Sequence, residues 1–453
     1  MMPVAEHERA GLSELLQKRM LRLLARPSMR GAVSSLLFTV AAVVLVLPLA
    51  ALAAEQTNYD ESRVPEYTLP DPLVLSDGSR VADSDTWVKQ RRVEVFQLFE
   101  SQVYGRCPPQ PVDLRFETVS EDSGAFGGLA TRKVIRIRLA GDRPEPSLRL
   151  VLFAPNNTDQ PVPAFVGLRL FPLDDDDPNP GKNWVQEAGG EGASEQHAAN
   201  LSAPLPGNHL GEAILRRGYA FASLDPGDFA PDDAERFTEG VVGYLAENGQ
   251  HPHAPDSWGA LAAWGWGLSR AIDYFETDDA IDHARVMFIG HSRMGKTALW
   301  AAARDQRAAA AISNNSGCGG AALSRRRFGE TVERINVRFP HWFCDNFDQY
   351  NDHEDRLPVD QHMLVSLIAP RPVYIASAVD DGWADPRGEF LSAMHAGPVY
   401  KLFGCQGVGV SEMPPPGKPV GDTVAYHIRA GRHALTDYDW LHYLDFADRH
   451  LAR

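Results

Sequence analysis

Apolar and polar positions follow two different periods along this chain, and the switches between them outline its elements. From Trp87 to Tyr104 the residues Val88, Val95, Leu98, Phe99 and Val103 recur at helical spacing, which predicts a helix. Val134–Leu139 and Leu148–Phe153 alternate or run apolar and read as strands, as does Ala164–Leu170. A long polar stretch then opens at Asp174-Asp175-Asp176-Asp177 and continues to about Gly207. Gly211–Arg217 predicts a short helix, Tyr219–Leu224 a strand, and Asp256–Phe275 an apolar helix rich in Trp and Ala. Strands follow at 286–289, Ala309–Ser313, Pro372–Ala378 and Val424–Arg429, and a terminal helix carries His442 and His450. Strands alternating with helices imply a mostly parallel sheet covered on both faces. No internal repeat and no linker divides it, so one α/β domain is expected over 85–453, after an extended Pro-rich lead-in over 54–84.

The first residues have a different character. Ser34–Ala54 is mostly apolar and uncharged, Arg22, Arg26 and Arg30 precede it, and it closes on Ala51-Leu52-Ala53. This is the pattern of a secretory signal peptide cut near Ala53, so residues 1–53 are expected to be removed. Met29 would open a signal of ordinary length, which makes 1–28 a possible product of an upstream start. Pro48 and the small residues after it favour cleavage over a membrane anchor. A secreted or periplasmic bacterial protein is expected, with no stable membrane anchor and as a monomer.

Composition narrows the partners. A formal net charge of −16 argues against nucleic acid. Four cysteines, at Cys107, Cys318, Cys344 and Cys405, are too few for a disulfide scaffold. The aspartates 174–177 lack EF-hand spacing and read as a solvated loop; no cluster has metal-ligand spacing, and neither a metal nor a cofactor is expected.

The run Val286-Met287-Phe288-Ile289-Gly290-His291-Ser292-Arg293-Met294-Gly295-Lys296 is a strand, a sharp turn and a helix with serine at the apex. Such a turn strains the serine backbone and exposes its hydroxyl. Against the G-x-S-x-G pattern of α/β-hydrolases the second glycine is one place late, at Gly295. Arg293 and Lys296 fall in the first helical turn, where cations cost a few tenths to ~1 kcal/mol each and call for a compensating anion, such as a bound carboxylate or a reaction oxyanion. A serine nucleophile needs a base and an orienting acid, in the chain order Ser, acid, His. His433 sits in a glycine-containing loop just after the last strand. Asp380, Asp381 and Asp385 follow the strand before it, and spacing alone does not choose among them. The backbone N–H of Arg293 is the expected oxyanion donor, with its guanidinium adding charge-assisted donors.

The motif Gly290-His291-Ser292-Arg293-Met294-Gly295-Lys296 resembles the G-C-S-R-x-G-K elbow of the glucuronoyl esterases, carbohydrate esterase family 15, with His291 where many members have Cys. Pro255-Asp256-Ser257-Trp258-Gly259, Ser316-Gly317-Cys318-Gly319-Gly320, Phe328-Gly329-Glu330-Thr331, Val359-Asp360-Gln361-His362 and Trp383-Ala384-Asp385-Pro386 are also similar to bacterial members. The resemblance implies a three-layer α/β-hydrolase fold and hydrolysis of the ester joining 4-O-methyl-glucuronate on xylan to lignin alcohols. The expected substrate is thus a small-molecule or polysaccharide ester. Ser292 is implied as nucleophile, His433 as base and Arg293 as oxyanion residue, while Lys296, Glu330 and Trp383 match positions that hold the uronate hydroxyls. Fungal members carry the acid in an E-S-G motif that here reads Asn315-Ser316-Gly317. The bacterial pattern therefore points to Asp381, with Asp385 in reserve. Gly167–Pro172 departs from the family pattern. An acetyl xylan esterase of the same fold, or a non-catalytic carbohydrate-binding relative, are the competing readings.

Overall fold

The computed structural model describes residues 57–109, 111, 113–139, 146–171, 210–247 and 254–451. The signal segment 1–53 and the acidic loop 174–177 lie outside them.

Ten strands among the described residues form one sheet: β1 (Arg115–Gly124), β2 (Ala130–Arg138), β3 (Ser147–Pro155), β4 (Val162–Leu168), β5 (Ala220–Leu224), β6 (Ile281–His291), β7 (Ala310–Asn314), β8 (Val373–Ala378), β9 (Val420–Gly421) and β10 (Val424–Arg429). Their order is β1-β2-β3-β5-β4-β6-β7-β8-β10-β9. The run from β5 to β10 is parallel, while β1, β2, β3 and β9 pair antiparallel at the two edges. The sheet is thus mixed around a parallel centre. β1 escaped the sequence pattern because its residues, Arg-Phe-Glu-Thr-Val-Ser-Glu-Asp-Ser-Gly, are almost all exposed and carry no core face.

Alternation along the strands sorts side chains onto two cores. In β6, Val286 and Phe288 join one cluster and Met287 and Ile289 the other. The main helices are α1 (Arg92–Phe99), α2 (Leu210–Arg216), α3 (Ala260–Phe275), α4 (Arg293–Arg304), α5 (Pro386–Lys401) and α6 (Asp437–Leu451). Residues of α1, α3, α4 and α5 pack in the first cluster, and those of α2 and α6 in the second. This is the α/β-hydrolase sandwich of three layers. Helix α3 starts at Ala260 rather than Asp256: Gly259 has extended backbone, and its N–H bonds to Tyr104 O at 3.0 Å, leaving 256–259 as a connecting loop. Trp300 of α4 is stacked on Tyr104 at 4.5 Å and on Phe96 at 5.3 Å, which ties the elbow helix to the helical run 84–104.

The lead-in is docked rather than free. Gly329 N–H donates to Asn58 O at 2.9 Å, Arg326 bonds to Glu61 at 2.6 Å, and His362 bonds to Pro70 O at 2.9 Å. All four cysteines are free thiols. Burial pushes Cys107 up to about 11 and Cys344 up to about 12.

Candidate active site

Ser292 joins β6 to α4 with φ 57° and ψ −128°, a backbone conformation costly for a residue with a Cβ. The surroundings enforce it. A Cβ on Gly290 would run into the carbonyl of Met294, so the chain turns here only with glycine. Gly295, off register in sequence, is also tight: its Cβ would meet Gly290 O, Ser313 Oγ and Ser316 Cβ, each at 3.1 Å. Ser292 N–H is fixed to Asn314 O at 2.9 Å, and its own carbonyl accepts from Gly295 and Lys296. That leaves the first N–H of α4, at Arg293, without an intrahelical acceptor and at the positive end of the helix dipole.

His433 lies in the loop after β10, with Gly431 at φ 96°. Arg429 braces this loop from below: its guanidinium donates to the carbonyls of Ala430, Arg432 and Ala434, and its Nε to Asp439. Asp439 is buried and also receives His427 Nε2 at 2.8 Å. His427 is therefore a packed strand residue. His433 Nδ1–H donates to Asp381 Oδ2 at 2.7 Å, and Asn315 Nδ2 donates to the same oxygen at 2.7 Å. Burial raises the Asp381 carboxyl, but the His433 and Asn315 bonds outweigh it and hold the group below its ordinary value. Asn315, which follows the last residue of β7, thus helps orient the carboxylate that meets His433.

The other two aspartates do different work. Asp380 is exposed. Asp385 caps α5 through Gly388 N–H at 3.0 Å and pairs with Arg326 at 2.8 Å. It is buried in a structural ion pair and no His433 bond reaches it.

Ser292, Arg293, Lys296, Asn315, Glu330, Asp381, Trp383 and His433 line one cleft of about 310 Å³, together with Arg338, Phe339 and Trp342. The compensating anions for the two helix-start cations prove to be internal. Arg293 pairs with Asp232, a residue that no motif or spacing singled out, and its guanidinium lies 5.2 Å from the Trp342 ring centroid. Asp232 also accepts from Trp342 Nε1 at 2.7 Å and His341 Nε2 at 3.0 Å. Burial would raise its carboxyl, yet these donors and the Arg293 charge hold it down to about 2. Lys296 is buried and directs its ammonium at Ser316 O and Cys318 O, both 2.6 Å, and at Glu330 at 3.4 Å. Its three donors all have protein acceptors, so it fixes the 316–318 loop and Glu330 rather than offering free N–H groups. Glu330 keeps its Oε1 without a partner among the described residues. Trp383 is half-buried at the cleft edge rather than in the core.

Two further residues at the site were not among the predicted catalytic or binding residues. His291 packs its ring 4.4 Å from that of His433 and bonds to Asn314 at 2.6 Å. Burial first, then the His433 charge, push it down to about 4, so it is neutral at pH 7. Glu389, fully buried on α5, accepts from Ser316 N–H, Gly317 N–H and Ser377 Oγ.

Comparison with known proteins matches this geometry to one family. A family model described as glucuronyl esterase, fungi, matches residues 251–404. A carbohydrate esterase from an unknown prokaryotic organism is 46% identical over 400 residues, covering 87% of this chain and 92% of that one. The chain belongs to carbohydrate esterase family 15, the glucuronoyl esterases. The glucuronoyl esterase structure from Solibacter usitatus is 42% identical with a TM-score of 0.75, covering 86% of this chain and 100% of that one. A promiscuous esterase of the same family from a marine bacterial metagenome is 44% identical with a TM-score of 0.74, over 87% and 100% of the two chains. A fungal 4-O-methyl-glucuronoyl methylesterase from Phanerochaete carnosa is 28% identical over 80% of this chain and 81% of its own. In this chain the loop after β8 carries the carboxylate bonded to His433, with Asn315 beside it.

Proposed function

We propose that this glucuronoyl esterase hydrolyses esters of (4-O-methyl-)glucuronic acid, as in lignin–glucuronoxylan linkages, through an acyl-enzyme on Ser292. The observation that carries the reading is the Asp381–His433 pair and the strained Ser292 opening on one cleft. His433 Nδ1–H is committed to Asp381, so Nε2 is the free base for the Ser292 hydroxyl. Ser292 Oγ attacks the uronate carbonyl as its proton passes to Nε2. The resulting oxyanion meets the Arg293 N–H and the free edge of its guanidinium, each such donor contributing roughly 3 kcal/mol. His433 then protonates the departing alkoxide, and water repeats the sequence to release the acid. Glu330, held by Lys296, accepts from the sugar hydroxyls, and Trp383 covers a ring face.

Initial rates on benzyl glucuronate and p-nitrophenyl acetate, for wild type and Ser292→Ala, test this. Strong turnover of the glucuronate that vanishes in Ser292→Ala is expected. Because Arg293 and Lys296 are neutralised internally, a second reading has support: turnover of the acetate alone would make the protein an acetyl esterase of the same fold. The charged, apolar and A-x-A pattern up to Ala53 supports export of the mature chain without a membrane anchor, and a monomer is the state we expect of it. N-terminal sequencing of the exported protein and its sedimentation mass check both.

A further inference from the structure

Hydrolysis turns a neutral ester and water into an alcohol, a carboxylate and a proton, so the cleft gains one negative charge. Within it, Arg293 is balanced by Asp232 and Lys296 by Glu330. Asp381 adds a negative charge beside His433. One more cation lines the cleft. Arg338 ends the helix Val332–Arg338, is exposed, and has no hydrogen-bond or ion-pair partner among the described residues. It is held by rings instead: its guanidinium lies 5.2 Å from the Phe339 centroid and 5.9 Å from that of Trp383. Ring contacts fix its position without using its N–H donors on an acceptor atom. The Arg293 guanidinium lies 5.9 Å from the same Phe339 centroid, so the two share one wall.

We propose that Arg338 is the counter-charge for the uronate product: its guanidinium takes the released carboxylate and makes the free acid an inhibitor of the enzyme. This rests on the glucuronoyl esterase reading. The forked N–H geometry of arginine suits a carboxylate, and a neutral ester offers it no such partner. In a protein of net charge −16, an anionic product would otherwise be repelled. The natural consequence is an enzyme that slows as uronic acid accumulates and recovers as a uronate-consuming reaction removes it.

The test measures the inhibition constant of sodium glucuronate against benzyl glucuronate hydrolysis for wild type, Arg338→Met, Arg338→Lys and Arg334→Met. Arg338→Met is expected to raise the ratio of that inhibition constant to KM by about fivefold to tenfold, and Arg338→Lys by less, since a charge-assisted bidentate contact is lost in one and weakened in the other. Added salt should weaken inhibition in the wild type and leave Arg338→Met unmoved. Arg334→Met, one turn back on the same helix and outside the cleft lining, should match wild type. An unchanged ratio in Arg338→Met, or an equal rise in Arg334→Met, overturns the proposal. Absence of glucuronate ester hydrolysis in the wild type would instead overturn the function on which it rests.

Discussion

At the scale of single residues, what decides the site is which carboxylate meets which cation. Asp381 and Asp385 stand four places apart in one loop, yet one orients His433 and the other caps a helix and binds Arg326. Their substitutions should therefore fail in different ways. Asp381→Asn keeps the shape but leaves His433 unoriented, and kcat should fall by on the order of 10⁴-fold. Asp385→Asn breaks a buried ion pair, which should lower stability by roughly 3 kcal/mol in urea unfolding, while the folded protein turns over near the wild-type rate. A dead Asp385→Asn with an active Asp381→Asn would reverse the assignment. The acid loop was legible in the sequence because it had to follow the strand before the His433 strand; spacing did not choose within it, because that depends on burial, and only the family resemblance pointed to Asp381. Asp232 was illegible for the same reason. It lies far upstream of Arg293, and only the folded chain brings them together.

At the scale of elements, the site is three turns held at the ends of β6, β8 and β10, and each has its own brace. The elbow depends on Gly290. Gly290→Ala places a Cβ against the Met294 carbonyl and should abolish both the Ser292 geometry and activity. The His433 turn depends on Arg429, which gathers three loop carbonyls while Asp439 holds it. Arg429→Met should lower kcat by on the order of 10²-fold with a much smaller change in KM, because displacing His433 by about 1 Å is enough. Equal changes in kcat and KM, or none, would show that the loop holds itself. The strands that carry these turns were legible from their apolar runs, and β10 begins and ends where the pattern places it. The edges were harder to read. β1 has no buried face to set a period, and the loop 256–259 mimics helix because Trp258 is buried by packing rather than by a helical stripe. The helical run 84–104 was legible as well. Its aromatic contacts with Trp300 were not, because they join distant segments; Trp300→Ala should cost about 3–5 kcal/mol.

At the scale of the whole molecule, burial of ionisable groups sets how stability responds to pH. His291, His362 and His442 are each pushed down to about 4, with burial the largest cause. The unfolded chain binds protons on them at about pH 6.5 and the folded chain does not. Stability conferred by keeping them neutral is lost as pH falls from about 6.5 toward 4. Glu389 acts in the opposite sense. Burial pushes it up to about 8, with the nearby Asp381 charge adding to the rise, against the donors from Ser377, Gly317 and Ser316. The folded chain therefore holds a proton on Glu389 that the unfolded chain releases near its ordinary value of 4.5. Its contribution is fully present below that value and is lost as pH rises toward 8. The two opposed slopes place the maximum of stability between about pH 6 and 7. Glu389→Gln separates them. A glutamine oxygen accepts from the Ser316 and Gly317 N–H groups, and its amide nitrogen donates to Ser377 Oγ, as the protonated acid would. The variant should keep the acid limb and lose the alkaline one, so that its melting temperature exceeds that of wild type at pH 8 and approaches it at pH 5. If the two curves superimpose from pH 6.5 to 8.5, Glu389 is ionised in the folded protein, and its hydrogen-bond donors outweigh its burial.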